Sequence, residues 1–158
     1  MTSHYLLDVL KVQQKHGVFY GFIYRDLQHI LEHNVSVGDT RVRFVSRALR
    51  NRSDTSLRHV FLEFQQKQKS DNEVKKNPKT LAELNEVHVS EHSPETIDLF
   101  TPAWKDEFSI QLPNIPFELQ EIVEFEDTLP SNYVFGMRDC RHHVSDVLRF
   151  CYPLLETN

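Results

Sequence analysis

Apolar positions recur with a helical period toward both ends of the chain and with a strand period through its middle. Tyr5, Leu6, Val9 and Leu10 form an i, i+1, i+4, i+5 stripe behind Thr2 or Ser3 as N-cap, and Gly17 closes that predicted helix. Val18–Tyr24 is a short apolar run that fits either a buried strand or the start of a helix. The spacing of Leu27, Ile30 and Leu31 ahead of Asn34 predicts a helix over 25–33. Val37-Gly38-Asp39 reads as a turn, and Arg41–Val45 alternates as a half-buried strand. Asn51–Asp54 is polar loop. Leu57–Phe64 alternates more strongly, with Leu57, His59, Phe61 and Glu63 on one face and Arg58, Val60, Leu62 and Phe64 on the other. Glu86–Ser90 and Phe108–Leu112 repeat the strand pattern, the second stopping at Pro113. Ser93–Glu95 is a turn or a helix start. Pro116–Phe125 opens on a proline and gathers Leu119, Ile122 and Val123 on one side, which predicts a short helix. Tyr133–Met137 reads as a strand. A final helix starts at Arg138 or Asp139, carries Val144, Val147, Leu148 and Cys151 on one face, and ends before Pro153.

This order of elements predicts an α+β fold, a mostly antiparallel sheet with helices packed on it. No internal repeat is present, and 158 residues are enough for one hydrophobic core, so 1–158 reads as a single domain. Gln65–Thr80 is the least hydrophobic stretch and reads as a mobile insertion or a long hairpin loop.

Composition narrows the function classes. The net charge of −5 disfavours non-specific nucleic-acid binding as the main task. Charge is uneven, however: Arg41, Arg43, Arg47, Arg50, Arg52 and Arg58 form a dense block, and the acids concentrate from Glu83 to Asp127. The two regions either attract each other within the fold, or the Arg41–Arg58 block meets an anionic partner. Cys140 and Cys151 fall on one predicted helix, roughly 16 Å apart by helical rise, which is too far for a disulfide. Unbridged thiols suggest a reducing compartment. The start of the sequence has no secretory pattern, and no window approaches the ~18 apolar residues of a membrane span. The expected location is the cytoplasm or the nucleus.

The sharpest chemical candidate is Cys140. With Asp139 as N-cap it occupies the first position of the last helix, where unpaired N–H groups and the helix dipole favour a thiolate. Arg138 and Arg141 flank it with positive charge, while Asp139 opposes them. His142 and His143 complete a set of candidate binding residues. Four residues before Val144, Cys140 also shares the buried face, where a small core cysteine is the plainer reading.

The strand Arg58-His59-Val60-Phe61-Leu62 and the helix start Asp139-Cys140-Arg141-His142-His143-Val144 together resemble the NlpC/P60-like papain-fold superfamily. They are most similar to its permuted branch, which includes lecithin–retinol acyltransferase-like proteins and PPPDE-type isopeptidases. There the catalytic histidine precedes the cysteine, as His59 precedes Cys140 here. The resemblance covers only these two motifs. The chain departs from it in having Asp139 where the family usually has Asn, and in lacking the glycine- and tryptophan-bearing surroundings of the histidine strand. It implies a papain-like fold and a thiol hydrolase or acyl/isopeptide transferase acting on a protein, peptide or acyl substrate without a cofactor. Cys140 would attack a carbonyl as the thiolate, with His59 as base and then acid. A third polar residue should orient the imidazole, and His88 on the Val87–Val89 strand is the best-placed choice.

Two other classes compete. Cys140, His142, His143, His59 and His88 are residue types that bind zinc, but ligands two apart on a helix, as Cys140 and His142 are, diverge by roughly 200°. One of His142 and His143 is expected to bond backbone and the other to face solvent. His29 and His33 lie four apart on a predicted helix, a chelating spacing that also suits plain surface residues. No metal site is therefore expected. The alternative to an enzyme is a protein-interaction module, or an inactive descendant of a thiol hydrolase, presenting arginines beside some of the eleven Phe and five Tyr.

Overall fold

The computed structural model describes residues 21–49, 58–67, 85–93, 102–134 and 136–152. The predicted N-terminal helix, the Asn51–Asp54 loop, residues 68–80 of the 65–80 segment and residues 94–95 lie outside them. The described residues form an α+β unit of four strands and three helices. In chain order these are α1 (Gly21–His33), β1 (Thr40–Leu49), β2 (Arg58–Lys67), β3 (Asn85–Ser90), β4 (Pro102–Ile115), α2 (Leu119–Glu126) and α3 (Cys140–Cys151). The strands make one antiparallel sheet in the order β3-β2-β1-β4.

Strand alternation sorts the side chains onto two faces. Val42 and Phe44 of β1, Val60, Leu62 and Phe64 of β2, and Ile110 and Leu112 of β4 join one buried cluster. Ile23, Leu27 and Ile30 of α1, Ile122 of α2, and Cys140, Val144, Val147 and Leu148 of α3 complete it. All three helices therefore share one face of the sheet. Each presents the stripe its 3.6-residue period gathers, which is why 25–33 and 140–151 were readable from spacing. The ambiguous run 18–24 resolves in part, since Gly21–Tyr24 is helix. A buried polar contact joins the two longest helices: Ser145 Oγ donates to Asp26 Oδ2 at 2.6 Å, beside Arg149. Burial raises the Asp26 carboxyl above its usual value, against that hydrogen bond and the arginine.

Three expectations need correction. β4 does not stop at Pro113. Among the described strands it lies at the sheet edge, and its register slips from Val42↔Leu112 to Thr40↔Ile115, leaving Pro113 and Asn114 opposite Arg41. A bulge on an edge is where a residue without an N–H does least harm to a ladder. The helix expected from Pro116 begins at Leu119, where the Glu121 carboxylate accepts the Glu118 N–H at 2.7 Å. The Tyr133–Met137 segment is not a strand. An isolated Val134↔Arg138 bridge closes a turn there, Gly136 takes φ 86°, and Met137 is 78% exposed.

Gly38 anchors the turn into β1. Its φ is +84°, and an added Cβ would lie 2.6 Å from Pro116 Cα, so only glycine lets this turn approach the end of β4. Close by, the Val37 N–H donates to the Asn114 carbonyl at 2.9 Å.

Candidate functional site

The N-terminus of α3 forms as the sequence implies. Asp139 caps it, accepting the Arg141 N–H at 3.0 Å, and the His142 ring returns the contact by taking the Asp139 N–H on Nδ1 at 3.1 Å. Asp139 is wholly buried. Its carboxylate also receives the Gly136 N–H at 2.9 Å and the Arg141 guanidinium at 2.6 Å. Burial alone would raise this carboxyl, but Arg141 and the N–H donors hold it down at about 2.

Cys140 occupies the first helical position and is 1% exposed. Burial pushes its thiol up to about 12. The Val60 N–H pointing at the sulfur and the nearby Arg141 pull the other way, and the Asp139 charge adds to the rise. Desolvation thus outweighs the helix terminus, and the thiol form dominates at neutral pH. Cys151 is buried as well, its thiol also shifted upward by burial.

The structure does not bring the other proposed members to this thiol. His59 belongs with Phe61 on the alternate side of β2, the two rings stacking at 5.6 Å, whereas Cys140 packs with Val60, Leu62 and Phe64 in the helix-covered core. The His59 Nε2 lies 3.0 Å from Glu91 Oε2. That bond, with Arg47 close by, holds the Glu91 carboxyl below its usual range. His88 does not orient His59 either. It pairs in register with Phe64, five residues along β2, stacks on that ring, and lies 2.8 Å from Glu126 Oε1. Glu91, just past the end of β3, is the residue on the His59 ring. The single-residue alternation of β2 carried this separation in the sequence, because His59 and Val60 must face opposite ways.

Of the remaining candidates, His142 bonds backbone as expected, but His143 does not face solvent. It lies three residues after Cys140 and four before Val147, on the buried stripe of α3, where its Nε2 is 2.9 Å from Ser90 Oγ. Desolvation lowers its pKa to about 4, with His92 and Arg138 acting in the same sense and Glu126 and Asp146 opposing. His92 stacks on His143 at 6.0 Å and on Tyr133 at 5.1 Å. Ser90, His92 and Tyr133 went unnoticed in the sequence because their partners come from segments about 40 residues away or more. Arg138 pairs with Asp146. His33 is exposed on α1, its ring 4.6 Å from that of His29. Among the described residues no group of three or more His, Cys, Asp and Glu is arranged to hold a metal ion.

The opposite face of the sheet is built differently. Arg41, Gln65 and Val87 form one cross-strand row, and Arg43, Glu63 and Val89 the next, with Gln111 of β4 beside Arg43. Arg41, Val42, Arg43, Glu63, Gln65, Val87 and Gln111 line an open groove of about 380 Å³. Val87 and Val89 are 56% and 42% exposed. Arg43 is tied to Glu63, its Nε donating at 2.8 Å, whereas Arg41 is exposed and forms no ion pair among the described residues. Further along, Arg47 lies 4.9 Å over the Phe61 ring.

Comparison with known proteins finds no matching family model, no matching curated protein and no matching solved structure. Among the described residues no helix is long and apolar enough to cross a membrane.

Proposed function

We propose that this chain is a protein-interaction module that works through the exposed end, around Arg41, Val87 and Val89, of the sheet face that its described helices do not cover, not through a thiol at the start of α3. The observation that carries this reading is the contrast between the two faces. The helix side encloses Cys140 in the core and raises its pKa to about 12. The other side leaves Arg41, Val87 and Val89 in solvent around an open groove, on a sheet whose described outer strand, β3, has no partner beyond it. Exposed valines on an edge strand are a usual liability that proteins cover or use for binding. Arginine beside apolar surface is a composition enriched at protein contacts.

A thiol hydrolase needs an accessible thiolate and an imidazole on it. Neither the burial of Cys140 nor the Glu91-bound ring of His59 favours that alternative.

Site-specific photo-crosslinking tests the reading. A benzophenone amino acid at Val87 probes the open face, and one at exposed Glu32 on α1 probes the helix side. In extracts of the cells that make the protein, Val87 is expected to yield a discrete partner adduct that Glu32 does not. The same adducts from both positions, or none from Val87, would contradict it.

A further inference from the structure

Resting on that reading, we infer that the groove between Arg41 and Val87 holds a carboxylate side chain of an acidic, valine-like strand segment in a partner protein. Its lining sets the ligand chemistry. Two guanidinium groups, Arg41 and Arg43, face one carboxylate, Glu63, which leaves one net positive charge. Arg43 already spends its fork on Glu63, so the group open to a ligand is the Arg41 guanidinium. A planar guanidinium matches a carboxylate with two parallel hydrogen bonds. Gln65, directly across from Arg41, and Gln111, across from Arg43, put neutral amide donors on either side.

Glu63 narrows the choice further. A phosphate would bring nearly two negative charges toward a site with one net positive charge and a fixed carboxylate in its wall. A single carboxylate balances the groove. Val87 supplies an apolar wall at the same place, so the residues flanking the acid should be aliphatic. A bulk polyanion suits neither the −5 charge of the chain nor the mixed lining. The volume, about 380 Å³, lies within the range of small ligand sites and is ample for one acidic side chain and its neighbour.

The test is a titration of the ¹⁵N-labelled full chain with three acetylated, amidated pentapeptides. Each alternates valine with glutamate, with glutamine, or with phosphoserine. The glutamate peptide is expected to shift the amides of Arg41, Gln65, Val87 and Gln111, and the glutamine peptide to bind about ten-fold more weakly. Arg41→Gln should cost about the same factor for the glutamate peptide and nothing for the glutamine one. Val87→Glu should abolish binding by placing a like charge in the groove. Both positions are exposed, and unchanged amide spectra elsewhere will show that the variants fold. Equal binding of the glutamate and glutamine peptides, or tighter binding of the phosphoserine peptide, would overturn the carboxylate assignment. If no peptide shifts these amides while Val87 still crosslinks a partner, the ligand assignment fails and the interaction reading stands. If Val87 also yields no adduct, both fail.

Discussion

Asp139→Ala is expected to lower unfolding free energy by about 3–5 kcal/mol, the cost of breaking a buried ion pair from one side. The carboxylate is wholly buried and takes hydrogen bonds from the N–H groups of Gly136 and Arg141 and from the Arg141 side chain. Its removal uncaps α3, takes the acceptor from the Gly136 N–H and removes the carboxylate from a guanidinium whose side chain is only 13% exposed. Asp139→Asn keeps a cap acceptor and should recover about 1 kcal/mol of that loss. Urea titration at pH 7 reads both variants. The sign with pH follows from the same contacts. The Asp139 carboxyl is depressed to about 2 from an ordinary 3.8, so its stabilisation is complete above pH 3.8 and disappears as pH falls through 2. An Asp139→Ala protein within 1 kcal/mol of the parent would show that the carboxylate is a replaceable surface group.

The second large effect is a loss of stability between pH 6.5 and 4, carried by His143. Its pKa falls from 6.5 to about 4 on folding, so the unfolded chain takes up the proton first. The contribution is complete above pH 6.5, shrinks as pH drops, and is gone below about 4. The shift converts to about 3 kcal/mol at most. Burial beside Ser90 sets it, and the stacked His92 adds to it. Asp26, whose carboxyl is raised, acts in the opposite sense as the solution is acidified, so the net slope will be smaller than His143 alone gives. Urea midpoints at pH 7 and pH 4.5, in the parent and in His143→Gln, isolate the residue. The variant should lose most of the difference between the two pH values. An unchanged slope in His143→Gln would move the titrating group elsewhere.

The parts of the fold that were legible in the sequence are those where one local period decides burial. The stripes of α1 and α3 and the alternation of β2 placed Leu27, Ile30, Val60, Leu62, Val144 and Leu148 in the core, where they lie. Asp139 as the cap of α3 was legible for the same reason, since cap and helix are neighbours in the chain. Pro113 misled because a proline halts a central strand but not a bulged edge, and strand order is not a local property. The 133–137 run misled because its backbone pairs locally, Val134 with Arg138 across a turn, and apolar character alone does not tell a turn from a strand.

The candidate site was less legible. Cys140 at the helix start was correctly placed, yet its chemistry depends on burial by Val60, Leu62 and their neighbours, which are far away in sequence. His59 looked like a partner because histidine on a firm strand is a catalytic type. Which side of the sheet it faces depends on a parity visible in the pattern, but which side α3 covers does not. The pairings His59–Glu91, His88–Glu126 and Ser90–His143 span 32, 38 and 53 residues and leave no local trace. The rows that put Arg41, Gln65 and Val87 side by side depend on register across three strands, so the arginine block showed charge without showing a groove.

The central claim is that the thiol at the start of α3 is part of the core and that the working surface lies on the sheet's other face. Iodoacetamide alkylation of the native protein from pH 6 to 9, with the two cysteines resolved by mass spectrometry, tests its first half most directly. Cys140 and Cys151 should both stay unmodified while the protein is folded and become labelled together as urea unfolds it, with no effect of His59→Ala. Selective labelling of Cys140 in the folded protein, below the pH of about 8.5 at which a free thiol titrates, and its loss in His59→Ala, would contradict the account and restore a thiolate–imidazole site.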